Sequence, residues 1–137
     1  MYLRKRFKEC GGLVRELGPL KAEQMADELL KSNVFVSPSY IDNSPNAVSE
    51  AQLVGMPLIS TYTGGLPSLI EDGRTGLFVP TGDAPMLAAK IRQIFEDNDL
   101  AKRLGSQAQA VASKRHDPRT IVREVLAIYK DVLFLSA

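Results

Sequence analysis

Three short apolar runs, each followed by a turn and a helical pattern, constrain the fold of this chain more than any other feature. The runs lie at residues 34–36, Leu58–Thr61 and Leu77–Val79. Runs of this length are typical of buried strands, and the longer amphipathic segments between and after them are typical of helices. The alternation predicts an α/β fold in which a parallel sheet is covered by helices on both faces.

The other segments extend this pattern over most of the chain. We predict helices at residues 21–31, 66–70, 86–95, 99–112 and 119–134. On the first of these helices, the side chains expected to face the core are Met25, Ala26, Leu29 and Leu30. A further strand is predicted at residues 13–17, and the end of a helix at residues 2–9. The 137 residues suffice for a single domain, 1–137, with additional helices from about residue 84 to residue 134.

A strand–loop–helix unit follows the first apolar run. The loop is rich in Ser, Pro and Asn, and it carries Asp42. Ser44 is a favourable N-cap residue, Pro45 suits the first helical position, and Gly55 ends the helix that carries Glu50. A unit of this kind points backbone N–H groups at an anion and provides carboxylates that accept hydrogen bonds from hydroxyl groups.

The position of Glu50 on this helix is unusual for a charged residue. At about 100° per residue, Glu50 falls inside an apolar arc, between Leu53 and Val54, whereas Ser49 and Gln52 fall on the opposite side. A carboxylate in an apolar arc is costly unless some group donates hydrogen bonds to it. Two kinds of group could donate these hydrogen bonds to Glu50: a Lys or Arg of the same domain, in an ion pair, or a ligand with hydroxyl groups, such as a ribose.

The pair Gly64-Gly65 follows the second predicted strand. Glycine lets a backbone approach a ligand without obstruction by a side chain, although an isolated Gly-Gly pair is also common in plain turns. Open α/β sheets bind their ligands beyond the carboxyl ends of the strands. We therefore include these glycines in a candidate ligand site.

Together these residues resemble the C-terminal, donor-binding domain of retaining glycosyltransferases of family 4 (group 1), which have the two-domain GT-B fold. The family signature is an acid, seven residues and Glu, then an Ala-rich helix ending in Gly-x-Pro, a strand, Gly-Gly, and a Gly-x-Thr-Gly-x-x-Val turn. The matching residues are Asp42, Glu50-Ala51, Gly55-Met56-Pro57, Gly64-Gly65 and Gly73-Arg74-Thr75-Gly76-Leu77-Phe78-Val79. The resemblance implies a Rossmann-like sheet, the C-terminal half-domain of a GT-B protein.

The resemblance also implies a role for each matching residue. Glu50 would bind the ribose hydroxyls of a nucleotide sugar, and Asp42, where the family usually has Glu, would contact hydroxyls of the transferred sugar. Backbone amides at the start of the helix would hold the diphosphate or the sugar, around Asn43, Ser44 and Asn46. The remaining residues lining the pocket would be Thr63, Gly64 and Gly65.

The implied activity is transfer of a sugar, with retention of configuration, from a UDP-, GDP- or ADP-sugar. No metal cofactor is expected, because helix dipoles and cationic side chains stabilise the departing diphosphate instead. The form Asn43-Ser44-Pro45-Asn46 resembles a variant common in enzymes of capsule and lipopolysaccharide assembly. The acceptor, a sugar or a lipid-linked sugar, would bind through an N-terminal domain.

The family pattern leads us to expect a truncated chain. A complete donor domain opens with a strand, a Gly-Arg loop and a Lys that grips the diphosphate, and none of these precedes Leu3. We expect the chain alone to transfer little or no sugar. Two other interpretations stay open: a non-catalytic module that binds nucleotide sugar, and a protein similar to sugar-nucleotide 2-epimerases, which would need catalytic acids and a histidine that the sequence does not place.

Composition and charge exclude several other classes. A net charge of +1 gives no strong field for nucleic acid, and no apolar run is long enough to span a membrane. The single cysteine, Cys10, allows no internal disulfide, so we expect a cytoplasmic protein. Asp97-Asn98-Asp99 is expected to cap a helix rather than to bind metal. Contact with the inner face of a membrane would use the basic cluster Arg4, Lys5, Arg6 and Lys8. Exposed apolar surface would favour self-association.

Overall fold

A computed structural model describes residue 7 and residues 9–135, except for the side chain of Leu135. The elements in this part are α1 (Ala22–Leu30), β1 (Phe35–Ser37), α2 (Asn46–Val54), β2 (Leu58–Thr61), α3 (Leu66–Leu69), β3 (Leu77–Val79), α4 (Ala84–Glu96), α5 (Asn98–Arg115) and α6 (Pro118–Leu135). The basic cluster Arg4, Lys5, Arg6 and Lys8 lies outside the described residues, as does most of the helix end predicted at residues 2–9.

The three strands form a parallel sheet in the order β1-β2-β3. Phe35 pairs with Leu58, and Ile59 pairs with Leu77, so the three strands begin at nearly the same level of the sheet and point in the same direction. Between β1 and β2 the chain crosses over through α2, and between β2 and β3 through α3. The predicted α/β fold is confirmed, and the first strand is displaced by one residue from the predicted 34–36.

The core occupies both faces of the sheet, because successive residues of a strand point to opposite faces. One face is covered by α4 and α5, and its buried side chains are Ile59, Leu77, Val79, Ile94, Leu100 and Leu104. The other face is covered by α2 and α3, and its buried side chains are Val48, Leu58, Leu66, Leu69 and Ile70. α1 packs against α2 in a third cluster, whose buried side chains are Leu29, Ala51 and Met56.

Helix ends follow the sequence with one exception. Asp83 caps α4 by accepting a hydrogen bond from Met86 N, and Asp97 caps α5, as predicted for the Asp97-Asn98-Asp99 segment. Gly55 ends α2 with a φ of 80°, also as predicted. The predictions for Ser44 and Pro45 are wrong: Pro45 is the N-cap residue of α2 rather than its first helical residue, and no side chain caps this helix.

Two predictions for the segment before β1 are wrong. Residues 13–17 form no strand, because no neighbouring strand of the described structure pairs with them, and Leu13 is 91% exposed. Leu30 is 70% exposed, although it was expected to face the core. α1 contacts α2 along a narrow stripe that includes Met25 and Leu29, and one residue further the helix has turned about 100° away from it.

The predicted apolar arc of α2 is also partly wrong. The buried residues of this helix are Val48, Ala51 and Gln52, whereas Leu53 is 39% exposed. Gln52 is fully buried because its side-chain amide has partners there: Nε2 donates to Leu69 O at 2.9 Å, and Oε1 accepts from Arg115 Nη1 at 3.4 Å. A bonded amide occupies a core position that the sequence pattern assigned to apolar side chains.

α6 presents an uncovered apolar side. Residues 121–134 are all exposed, and the large apolar side chains among them are Ile121, Val122, Val125, Leu126, Ile128, Tyr129, Val132, Leu133 and Phe134. Helices in proteins gain most of their stability by packing an apolar face, and the apolar side chains of this helix remain largely exposed. None of the helices in the described part is both long enough and apolar enough to span a bilayer.

Candidate functional site

Three loops meet at the carboxyl edge of the sheet, where parallel sheets bind ligands. They follow β1, β2 and β3 and comprise residues 38–45, 62–65 and 80–83. Hydrogen bonds join the first two: Thr61 Oγ1 donates to Ser39 O at 2.6 Å, and Gly65 N donates to Asp42 O at 3.2 Å. The loop that carries Asp42 is thus anchored to the end of β2 and to the Gly-Gly turn.

The Gly-Gly turn makes room for the neighbouring loop. A Cβ atom built on Gly64 would lie 1.7 Å from Asp42 O, and one built on Gly65 would lie 1.6 Å from Asn43 O. Gly64 also has a φ of +52°, which favours glycine. The expectation that these glycines leave space for a ligand is therefore corrected. The space that a side chain would occupy is filled by the backbone of residues 42–43.

The loop before α2 holds most of the predicted site residues. Asp42 is half-buried, and Ser39 Oγ donates to its Oδ2 at 3.4 Å. The other predicted residues of this segment are exposed; they are Asn43, Ser44 and Asn46. No side chain caps α2, and although Val48 N donates to Pro45 O at 3.1 Å, the backbone N–H groups of Asn46 and Ala47 have no partner in the described structure. The positive end of the helix dipole lies at the same place.

Glu50 is exposed, so its predicted burial is wrong. α2 buries Val48, Ala51 and Gln52, and Glu50 lies on the other side of the helix, away from this buried face. Its carboxylate forms no ion pair or hydrogen bond within the described part of the chain, so none of the Lys and Arg residues described there is its partner.

An apolar pocket of about 220 Å³ opens beside Glu50, between α1 and α2. The other residues that line it are Ala22, Met25, Ala26, Leu29, Leu53 and Val54. The pocket exists because α1 and α2 touch through a narrow stripe and leave a groove on one side of it. This groove combines apolar walls with one unpaired carboxylate, a combination that suits a ring system bearing hydroxyl groups.

Thr63 stands between β2 and the Gly-Gly turn. Its Oγ1 is buried and has no hydrogen-bond partner among the described residues, whereas its backbone N–H donates to Thr61 O at 3.0 Å. A buried hydroxyl without a partner is costly, and such groups are concentrated where a ligand or water completes the bonding. Thr63 therefore remains a candidate site residue at the carboxyl edge.

A clamp beneath the site was not predicted. Arg115, at the end of α5, donates to Ser68 O at 3.3 Å and to Leu69 O at 3.4 Å, and it also reaches Gln52. These bonds connect α5 and α3 to α2, the helix that carries Glu50. No sequence pattern reveals the clamp, because a Gln on an amphipathic helix and an Arg at a helix end are both ordinary surface residues.

No cluster of His, Cys, Asp and Glu that could hold a metal ion occurs in the described ranges. The candidate site therefore consists of backbone N–H groups at the start of α2, two carboxylates and one unpartnered hydroxyl. Such a set can bind a neutral polyol through the carboxylates and an anionic group through the N–H groups.

The chain is similar to known proteins in sequence and in fold. The family described as Glycosyl transferases group 1 matches residues 3–111. A D-inositol 3-phosphate glycosyltransferase of Streptomyces scabiei is 39% identical over 101 residues, which are 73% of this chain and 22% of the relative.

Two solved structures are similar over nearly the whole chain. Alr3699/HepE of Anabaena, in complex with UDP, has a TM-score of 0.87 and 26% identity over 95% of this chain and 36% of its own. Sucrose-phosphate synthase of Thermosynechococcus elongatus has a TM-score of 0.88 and 28% identity over 98% of this chain and 34% of its own. The chain thus spans well under half the length of each of these three proteins.

Proposed function

The chain belongs to the group 1 glycosyltransferase family, and we propose that it forms the nucleotide-sugar-binding part of a GT-B glycosyltransferase. The observation that carries this proposal is the open start of α2, where unpartnered backbone N–H groups follow Asp42 and precede the unpaired Glu50. N–H groups at a helix start bind phosphate, and carboxylates accept hydrogen bonds from sugar hydroxyls. The solved complex of HepE with UDP supports a nucleotide as ligand.

In this proposal each residue has a separate task. Glu50 accepts hydrogen bonds from the ribose, and the apolar groove between α1 and α2 receives flat or apolar parts of the nucleoside. The start of α2, near Asn43, Ser44 and Asn46, binds the diphosphate. Asp42 contacts the transferred sugar, and Thr63 Oγ1 bonds to the ligand. The backbone at Gly64 and Gly65 holds the Asp42 loop in place.

The proposed reaction of the whole enzyme is sugar transfer with retention of configuration and without a metal ion. The nucleoside diphosphate leaves, and the acceptor attacks the same face of the sugar. The N-terminal dipole of α2 stabilises negative charge on the departing diphosphate. The acceptor is a sugar or lipid-linked sugar in polysaccharide assembly, as the Asn43-Ser44-Pro45-Asn46 form supports, and the enzyme works in the cytoplasm or at the inner face of the membrane.

Binding without transfer is a second candidate function for this chain taken alone. The loops at the carboxyl edge contain carboxylates, hydroxyls and glycines but no Lys or Arg at residues 38–45, 62–65 and 80–83. Cationic side chains that stabilise a leaving diphosphate supply much of the rate of transfer reactions. We therefore expect the purified chain to bind nucleotide sugar and to transfer little of it.

A thermal-shift screen of the 137-residue chain with UDP, GDP, ADP and their glucose conjugates tests the proposed function. A ligand that binds only the folded state raises the melting temperature as its concentration exceeds the dissociation constant. We expect one nucleotide series to raise it in a dose-dependent manner, whereas inorganic pyrophosphate at the same concentration raises it less. An unchanged melting temperature with all of these nucleotides would contradict the proposal.

A further inference from the structure

A second pocket, of about 290 Å³, opens at the same carboxyl edge of the sheet. It lies on the α4 side of the sheet, where Thr61 and Val79 end their strands and Leu87 packs from α4. The loop after β1 covers it with Pro38 and Tyr40. No residue of the proposed nucleotide site lines this pocket, but Tyr40 and Asp42 belong to the same loop.

The walls of this pocket are mostly apolar, and its polar side chains are only partly bonded within the described structure. Thr61 Oγ1 donates to Ser39 O, so it offers no free donor to a ligand. Asp83 Oδ1 accepts from Met86 N as the cap of α4, while its second oxygen makes no bond in the described structure. The pocket therefore offers apolar surface together with one free carboxylate oxygen.

Tyr40 provides an exposed aromatic surface at the rim. The residue is 73% exposed, and its hydroxyl would lie 3.2 Å from a Cβ built on Gly82. Gly82 has a φ of +80°, so a glycine is favoured there and the tyrosine hydroxyl reaches over it. The ring is thereby positioned beside the pocket, with its hydroxyl close to the loop that carries Asp83.

We infer that this pocket binds one neutral pyranose ring, separate from the ring of the nucleotide-sugar donor. A pyranose has an apolar face that packs against Tyr40 and the proline walls, and hydroxyl groups at its rim that donate to Asp83. A phosphate or carboxylate ligand would be repelled by Asp83, since no Lys or Arg lines the pocket. An alkyl chain would remove the Asp83 carboxylate from water without providing a donor.

Heteronuclear NMR of the full 137-residue chain tests this inference, with the methyl α-pyranosides of glucose, galactose and mannose as probes. We expect at least one of them to shift the amide signals of Tyr40, Gly82, Asp83 and Ala84 with a dissociation constant in the millimolar range. Tyr40→Ala should weaken this binding about fivefold or more, as the loss of a stacking contact implies. Tyr40→Phe keeps the ring and should retain most of the affinity.

Two further variants separate a pyranose site from a merely apolar pocket. Asp83→Asn keeps an oxygen that can cap α4 but removes the charge, and it should weaken glycoside binding severalfold. Tyr62→Ala removes an exposed tyrosine at the same sheet edge that does not line the pocket, and it should leave the binding unchanged. Circular dichroism establishes that each variant is folded.

The outcomes also distinguish this inference from the proposed function. The nucleoside diphosphate preferred in the thermal-shift screen should shift signals of residues 43–50 and leave those of Gly82 and Ala84 unshifted. Its binding without any glycoside effect at the pocket would overturn the inference and leave the proposed function intact. Glycoside binding without binding of UDP, GDP or ADP would support the pocket and overturn the proposed function. If hexanol shifts the same signals and Asp83→Asn leaves glycoside binding unchanged, the pyranose assignment is wrong.

Discussion

The proposed nucleotide site depends chiefly on Glu50. The helical pattern suggested a ligand because it predicted that Glu50 is buried, but the structure supports a ligand for a different reason. The helical pattern placed it among apolar neighbours, and the structure exposes it at the edge of an apolar groove. A hydrated carboxylate carries little desolvation cost, so burial does not demand a ligand. The case for a ligand comes instead from the groove beside it and the absence of a resident cation within the described part.

At the residue scale, substitution of Gly65 tests the contact between the Gly-Gly turn and the loop that carries Asp42. Its φ is −85°, which any residue can adopt, but an added Cβ would lie 1.6 Å from Asn43 O. Gly65→Ala should therefore force the backbone of the two loops apart and lower the free energy of unfolding by about 3 kcal/mol. Urea denaturation followed by circular dichroism measures this change.

Gly73→Ala is the matched control for Gly65→Ala. Gly73 has a φ of +71° and no atom within 4 Å of an added Cβ, so the substitution should cost only the conformational strain, roughly 1 kcal/mol. Equal destabilisation by the two substitutions would contradict the close contact between the Gly-Gly turn and the Asp42 loop.

The site motifs were identifiable from the sequence, whereas the contacts of individual residues were not. The spacing of Asp42 and Glu50 and the glycines at 64 and 65 depend only on local order, which a sequence shows directly. Gln52 became a core residue because Leu69 O and Arg115 lie opposite it, 17 and 63 positions along the chain. Such partners are brought together only by the tertiary fold, so a helical projection of α2 cannot reveal them.

At the scale of the elements, strands that recur with crossover helices were predicted well. β2 and β3 have the predicted bounds, and the predicted helices α4 and α5 extend by a few residues at each end. The prediction of a strand at residues 13–17 was wrong because a strand needs a neighbouring strand to pair with, and the apolar character of a segment does not supply one. The predicted start of α2 was wrong because Pro45 occupies the N-cap position that Ser44 was expected to take.

The N-terminus of α6 gives a prediction on pH. Asp117 Oδ2 accepts hydrogen bonds from Thr120 Oγ1 at 2.6 Å and from Thr120 N at 3.0 Å, and these bonds lower the pKa of Asp117 below its ordinary value of 3.8. A lowered pKa means that the ionised form is the better cap. The ionised Asp117 cap contributes fully to the free energy of unfolding when the pH is above the ordinary pKa, and this contribution is lost as the pH falls through the lowered pKa.

Circular dichroism at low pH checks this prediction. Between about pH 5 and pH 2, the wild-type chain should lose helical signal that the variant Asp117→Asn, which is neutral throughout, does not lose. Asp131→Asn, near the other end of α6, serves as the control and should behave as the wild type does. An identical pH dependence in wild type and Asp117→Asn would contradict the capping role.

At the scale of the whole molecule, the uncovered apolar side of α6 is a large exposed apolar surface among the described residues. Its nine large apolar side chains together expose on the order of 800 Å², about what one partner buries in a standard protein interface. We propose that this surface drives self-association of the chain in solution. Sedimentation velocity should then show a concentration-dependent dimer or larger species.

Substitutions on α6 test this association. The double variant Ile121→Lys, Ile128→Lys places two charges on the apolar side and should leave the chain monomeric. Lys130→Glu changes a charge that lies outside the apolar set and should preserve the association. Sedimentation of wild type and both variants as identical monomers would contradict the proposal for α6, and it would leave the nucleotide site unaffected.

The sharpest test of the nucleotide site is calorimetric titration of the 137-residue chain with the nucleoside diphosphate of the series that stabilises it in the thermal-shift screen. We expect saturable binding by the wild type, and a dissociation constant about tenfold or more higher for Glu50→Ala, since a hydrogen bond to a charged group is worth roughly 1.5–3 kcal/mol. Glu96→Ala, at the far end of α4, should bind as the wild type does. Unchanged affinity in Glu50→Ala, or no binding of that nucleoside diphosphate by the wild-type chain, would contradict the assignment of the nucleotide site.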